Sequence, residues 1–400
     1  MDKIEEVLTR GVDTVYPTQK ALEDVLRSGK KIRLYQGFDP TGIQLHIGHM
    51  VGLMKLKQFQ DLGHHVIFLI GDGTGQAGDP SGKKRSREKY LSLPELKKNA
   101  QDYVKQASKI VRFEGDNPAE IVYNSSWLNK LSLVELLDIA NHFTLQQLEE
   151  RDLYQERKKQ NQDINFREFL YPLLQGYDSV ALDVDLEIGG SDQMFNMLAG
   201  RKLVREMKNK EKYVLTTPLL TDSSGNKIGK TEGNVIALTS APNDLYGMIM
   251  SLPDDVITKC FEYLTDIPME DVEKIKTALK NGDNPMTWKK KLAYELTAIL
   301  SSKDEAKQAQ EFFESTFQKR ALPQDIPTLT IPVKDSMTIR DAVVLKGKIV
   351  ASNNEFRRLL QDGAVEMNGT KVTDLNQLVP DAKENTLKIG KHKFLKIIRQ

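Results

Sequence analysis

The sequence predicts an α/β protein: a doubly wound parallel sheet, then an α-helical domain, then a small C-terminal α+β module. Short apolar runs at 32–35, 66–70, 121–124 and 184–188 alternate with helical segments, as a parallel sheet covered on both faces requires. Between 241 and 317, apolar residues recur at helical spacing in 244–250, 256–264, 272–279 and 289–300. From 337 onward, a basic amphipathic helix meets a hairpin signal.

The first strand run feeds the turn Gly37-Phe38-Asp39-Pro40-Thr41-Gly42, and helical apolar spacing begins at 47. His46-Ile47-Gly48-His49 therefore falls at a helix N-terminus, where unpaired N–H groups and the positive end of the dipole attract phosphate oxygens. Gly48 has no Cβ to hold a nucleotide away. The i,i+3 histidine spacing also suits a metal pair, but no Glu follows His46 in the zinc-protease pattern. Two structural histidines on a surface helix are the plainer alternative.

The second strand run, 66–70, leads into Gly73-x-Gly75-x-x-Gly78, which formally fits a dinucleotide fingerprint. That fold requires an apolar helix directly after the last glycine. Here Asp79-Pro80-Ser81-Gly82 and the cations Lys83, Lys84, Arg85 and Arg87 follow instead.

Between the third and fourth runs, Tyr171, Gln175 and Asp178 share one helix face at steps of four and three. Tyr35 and Asp178 form a donor–acceptor pair able to bracket a phenolic hydroxyl, and Asp79, Tyr171 and Gln175 offer acceptors to an α-ammonium group. A buried hydrogen-bonded network is the alternative for these residues. Past the fourth run comes Gly189-Gly190-Ser191-Asp192-Gln193, and then the Gly/Ser/Asn-rich loop 222–234 with Lys227-Ile228-Gly229-Lys230-Thr231. Alone, such a lysine pair is a solvated turn. With the upstream histidines, two ammonium groups on a closing loop suit a pyrophosphate on which charge develops during reaction.

These two motifs look like the HIGH and KMSKS signatures of class I aminoacyl-tRNA synthetases. The first matches fully, whereas the second has Ile228, Gly229 and Thr231 where the family pattern has Met, Ser and Ser, with both lysines kept. Tyr35, the stretch 71–82, Asn124, Tyr171-Pro172-Leu173-Leu174-Gln175-Gly176-Tyr177-Asp178 and the Gly-Gly-Ser-Asp-Gln turn resemble the tyrosyl-tRNA synthetase set of bacterial type. Gln36, Gly52 and Met194 depart from some relatives, Met194 standing where they carry tryptophan.

The resemblance implies a Rossmann-like catalytic domain over 1–235, a helical anticodon-binding domain over 236–322, a linker at 323–336 and an RNA-binding module over 337–400. It implies a ligase that joins tyrosine to tRNA(Tyr), with ATP as substrate, Mg2+ accompanying ATP and no zinc. The catalytic set would be His46, His49, Thr41, Lys227 and Lys230, with Gly37, Asp39, Gly48, Asp192, Gln193 and Thr231 binding ATP. Tyrosine would be held by Tyr35, Asp79, Asn124, Tyr171, Gln175 and Asp178, with no metal site. Family members are homodimers, although no dimer face is legible in the residues.

Composition agrees. The single cysteine, Cys260, excludes disulfides within the chain and multi-cysteine zinc ribbons, and suits a reducing cytoplasm. No window approaches a membrane span or a signal peptide, so a soluble cytoplasmic protein is expected. The net charge of +1 conceals asymmetry, because 337–400 carries twelve Lys/Arg against seven Asp/Glu, a difference of +5. Within it, Ser352-Asn353-Asn354-Glu355-Phe356-Arg357-Arg358-Leu359-Leu360 and the hairpin from Gly363 to Gly369 resemble a small RNA-binding module first known from a ribosomal small-subunit protein, placing Arg357 and Arg358 toward phosphates. The rival readings are an adenylyltransferase that uses no RNA, an RNA-binding protein on an inactive synthetase fold, and a tryptophan enzyme. The last would have no use for a phenol-reading Tyr35–Asp178 pair.

Overall fold

Each of the four apolar runs forms a strand in the computed structural model, which describes every residue except 1, 82–89, 229–234, 319–325, 333–335 and 391–392. They are β2 (Arg33–Phe38), β3 (His65–Ile70), β4 (Glu120–Tyr123) and β5 (Leu186–Gly190). Two strands escaped the sequence reading, β1 (Thr14–Tyr16) and β6 (Tyr213–Thr217). β1 is only three residues long and β6 alternates little, since Val214 and Leu215 are buried side by side with Thr216 and Thr217.

The sheet runs β1-β6-β5-β2-β3-β4, parallel except for β1. Chain order reverses between β2 and β5, and in open parallel sheets ligands bind beyond the carboxyl ends of the strands at that reversal. Register there places Tyr35 beside both Ile67 of β3 and Glu187 of β5.

The helix Ile47–Asp61 is apolar on nearly every side because it is buried: Ile47, Met50, Leu53, Leu56 and Phe59 are shut off from solvent. Gly73-x-Gly75-x-x-Gly78 forms only the four-residue helix Thr74–Ala77, too short for a dinucleotide fold. The helices Phe166–Leu182 and Met194–Lys208 cross closely where a Cβ on Gly176 would lie 3.1 Å from the Gly200 nitrogen. The helical region follows as Pro242–Met250, Ile257–Leu264, Met269–Lys280 and Pro285–Leu300.

These elements form one compact unit, Met1–Ala306, and Lys307–Gln400 forms another. The second has its own five-stranded sheet, order β7-β11-β10-β8-β9, where β7 is Thr328–Ile331, β8 Val365–Met367, β9 Thr370–Lys371, β10 Glu384–Ile389 and β11 Lys393–Arg399. Its core includes Phe356, Val365, Leu387 and Ile397. The predicted helix is Asn353–Gln361, and the hairpin β8–β9 turns at Asn368 and Gly369, both with positive φ.

The expected linker at 323–336 requires a correction in its described part. Thr328–Ile331 pairs in parallel with Lys396–Arg399, which makes it a structural strand of the second unit. Prolines on either side suggested a linker, yet an edge strand tolerates flanking prolines as readily.

Candidate active site

At the helix start, His46 is the N-cap of Ile47–Asp61. Its Nδ1 accepts from the Gly48 N–H at 3.1 Å, while His49 Nδ1 accepts from the His46 N–H at 3.1 Å. An Nδ1 that accepts carries no proton, so each neutral ring bears its proton on Nε2. The two rings lie 3.9 Å apart, centre to centre, and both line a cavity of about 490 Å³ at the carboxyl ends of the central strands. A Cβ on Gly48 would stand 2.9 Å from His46 Cε1, so this glycine makes room first for the histidine ring itself.

The two sequence motifs meet here. His46 bridges to Ala237, Ile47 N–H donates to the Ile236 carbonyl at 3.0 Å, and Leu238 N–H donates to the Leu45 carbonyl at 3.0 Å. The far end of the lysine loop is thereby pinned to the start of the histidine helix. Lys227 lines the cavity and pairs with Asp192 Oδ2 at 2.9 Å. Lys230 and Thr231 lie outside the described residues, as does the basic run Lys83 to Arg87.

Gly37 at the end of β2, and Asp39 and Thr41 in the turn after it, line the same cavity. Asp39 accepts from Thr74 Oγ1 at 2.7 Å and from the Tyr171 hydroxyl at 2.9 Å. Gln193 donates to Asp79 at 2.8 Å, joining the Gly-Gly-Ser-Asp-Gln turn to the expected amino-acid side. Gln36 is 9% exposed and its Oε1 has no partner among the described residues; a Cβ on Gly52 would collide with that oxygen.

Deeper in, the Tyr35 hydroxyl bonds Ser179 Oγ at 2.9 Å. Asp178 does not line the cavity; it accepts from Trp127 Nε1 at 2.8 Å and Asn124 Nδ2 at 3.0 Å. Burial pushes the Asp178 carboxyl well above the usual carboxylate range, against the pull of those two donors. Burial likewise raises the Tyr35 and Tyr171 phenols well above 10.0, helped by the negative charges around them. Both tyrosines stay protonated and can donate. Asn124 also accepts from the Gly73 N–H at 2.7 Å, fixing the glycine-rich turn.

Sequence comparison identifies the machinery. Residues 27–318 match the family described as tRNA synthetases class I (W and Y). The chain belongs to this family of class I synthetases. Residues 318–396 match the tyrosine–tRNA ligase SYY-like C-terminal domain. The synthetase is 39% identical to the tyrosine–tRNA ligase of Carboxydothermus hydrogenoformans over 98% of this chain and 97% of the relative. It is 38% identical to that of Dehalococcoides mccartyi over 99% of each. Among solved structures, it resembles a C-terminally truncated Aspergillus nidulans mitochondrial tyrosyl-tRNA synthetase with TM-score 0.68 and 26% identity, over 79% of this chain and 94% of that one.

Several residues of the synthetase cavity carried no sequence signal. Glu187 lines it, and behind it Lys212 and Ser179 are buried. Lys212 sits in the charge-rich stretch 208–212, which reads as solvated surface; only the strand pairing of β5 with β6 turns it inward. Among the described residues, no group of three His, Cys, Asp or Glu side chains could hold a metal ion. None of the described helices is long and apolar enough to cross a membrane.

Proposed function

We propose that the chain is a tyrosine–tRNA ligase, which activates L-tyrosine with ATP and transfers the tyrosyl group to the terminal adenosine of tRNA(Tyr). One observation carries this: His46, His49 and Lys227 open onto the same cavity as Tyr35, Tyr171 and Gln175. A phosphate site and a polar pocket suited to a phenol and an ammonium group therefore share one space.

The tyrosine carboxylate, already ionised, attacks the α-phosphorus of ATP and pyrophosphate leaves. No side chain acts as base, so catalysis is positioning and charge neutralisation. The Nε2–H groups of His46 and His49, with Thr41, donate to phosphate oxygens. Lys227 and Lys230 stabilise the departing pyrophosphate, with Thr231 beside them. Asp192 accepts Lys227 through Oδ2, leaving Oδ1 for the ribose hydroxyls. Gly37 and Gly48 keep the backbone low beneath the nucleotide, and Asp39 and Gln193 hold the reacting centre. Tyr35 reads the phenol, with Asp178 acting from behind the cavity wall through Asn124 and Trp127, while Asp79, Tyr171, Gln175 and Asn124 form the ammonium side. Mg2+ accompanying ATP would neutralise phosphate charge. In the second step, the tRNA 3′-terminal hydroxyl attacks the adenylate and AMP leaves.

The helices between Pro242 and Leu300 serve the anticodon, and the module from 337 grips RNA through Arg357 and Arg358, both exposed beside buried Phe356. The site of action is the cytoplasm, which suits the lone buried Cys260. The working form is a homodimer. Supporting this, Leu133, Val134 and Leu137 on one helix are 71%, 75% and 60% exposed, and Phe166 is 70% exposed. Such apolar exposure is costly on a monomer. Leu137→Glu should shift the sedimenting species from dimer to monomer; an unchanged mass would place the interface elsewhere.

Pyrophosphate exchange with each amino acid, then charging of total tRNA, tests the whole reading. Exchange with tyrosine and charging of one tRNA are expected. Exchange driven by tryptophan, or by no amino acid, would overturn it.

A further inference from the structure

Glu187 and Lys212 belong to no motif of the sequence, yet they form the most deeply buried ion pair near the cavity. Lys212 is 0% and Glu187 2% exposed, and their charged ends are in direct contact. Lys212 also donates to the Met197 carbonyl at 3.2 Å and lies 5.9 Å from the centre of the Tyr35 ring. The helix Met194–Lys208 carries Gly200 where the lysine tip passes: a Cβ there would be 2.6 Å from Nζ. A buried pair of this kind is at best a weak source of stability, because desolvating two ions offsets their attraction. Its neighbours point to another role.

A carboxylate can only accept hydrogen bonds. Gln175 faces Glu187 Oε1 at 3.0 Å, so it must present Nε2–H there and turn its carbonyl oxygen away. That oxygen is buried, has no partner among the described residues, and belongs to a residue that lines the cavity. Ser179 Oγ lies 3.4 Å from Glu187 Oε2 and 2.9 Å from the Tyr35 hydroxyl. A serine that spends its one proton on the carboxylate has only lone pairs left for Tyr35. Tyr35, which lines the cavity, must then donate to Ser179, and its own lone pairs remain to accept from a phenolic O–H.

We propose that the Glu187–Lys212 pair is the positioning element of the amino-acid pocket: its carboxylate sets the Gln175 amide to accept from the substrate ammonium and, through Ser179, sets Tyr35 to accept from the substrate phenol. Lys212 donates to Glu187 Oε2 and so fixes the carboxylate in place, with its oxygens turned toward Gln175 and Ser179. Both ends of one substrate are thereby read through a single buried carboxylate. Glu187 and Lys212 are positioning residues, since neither is required to touch the reacting atoms. The inference rests on tyrosine as the substrate.

The test compares wild type with Ser179→Ala, Glu187→Gln, and Glu187→Gln combined with Lys212→Met, which leaves neither charge alone. Tyrosine-dependent pyrophosphate exchange gives KM for tyrosine and ATP separately, with phenylalanine as competitor. Losing one directed hydrogen bond should raise KM for tyrosine about tenfold and leave KM for ATP within about twofold. The preference for tyrosine over phenylalanine should fall in every variant. If the Glu187 variants do not fold, Ser179→Ala decides, since it removes one oxygen and leaves the ion pair intact. Unchanged KM for tyrosine and unchanged selectivity in Ser179→Ala would overturn the proposal, as would equal weakening for tyrosine and ATP. A wild-type enzyme inactive with tyrosine would instead overturn the reading of the substrate.

Discussion

Tyr35 shows how far single residues speak for themselves. Its place at the end of an apolar strand run, ahead of a glycine turn, marks it as a pocket residue from sequence alone, and the structure seats it 1% exposed on the central strand β2. Its bonding was not legible. Ser179 and not Asp178 holds its hydroxyl, because a helix places neighbouring side chains about 100° apart and only packing decides which one meets the sheet. Asp178 instead organises Asn124 and Trp127 behind the wall. Tyr35→Phe and Asp178→Asn should each erode discrimination against phenylalanine in pyrophosphate exchange, because the penalty for leaving desolvated polar groups unpaired is then reduced. Ratios unchanged in both variants would remove this pair from specificity.

Among elements, the start of the helix Ile47–Asp61 was predicted, since a motif at an N-cap and the onset of an apolar pattern are both local properties. Its tertiary role was hidden. Lys55 on this helix is buried and donates to the Val7 and Arg10 carbonyls at 2.8 and 2.5 Å, capping the helix Lys3–Thr9. Arg10 in turn donates to the Phe261, Glu262 and Thr265 carbonyls, at the end of Ile257–Leu264. Three helices are thus tied by two cations that read as ordinary surface charge in the sequence. Burial, with the nearby Arg10 charge, lowers Lys55 from 10.5 to about 7. Above about 7 the folded chain has released this proton while the unfolded chain still binds it until about 10.5, so the lysine's share of stability grows as pH rises through that window. Denaturant titrations at pH 7 and pH 9 should show wild type gaining relative to Lys55→Met at the higher pH. A difference independent of pH would mean that Lys55 stays charged.

For the molecule as a whole, two compact units and two family models divide the chain in two without sharing one boundary. The units meet at 306/307 and the family matches meet at residue 318. A chain ending at Gln318 keeps every described residue of the cavity and loses Arg357 and Arg358. It should form tyrosyl-adenylate at close to the full rate and fail to charge tRNA, measured as exchange against aminoacylation. Equal loss of both activities would mean that the C-terminal unit supports the catalytic fold and not RNA binding alone.

By itself, the sequence determined what is local: strand runs, the histidine-capped helix start, the Tyr-Pro-Leu-Leu-Gln-Gly-Tyr-Asp helix face, and a basic tail with its Asn-Gly hairpin. Each depends on residues within a few turns of one another. Only the tertiary structure decided which buried charges face which hydrogen-bonding groups. Glu187 and Lys212 are 25 residues apart in the chain, and only the parallel pairing of β5 with β6 and the glycine at 200 bring them together behind Tyr35.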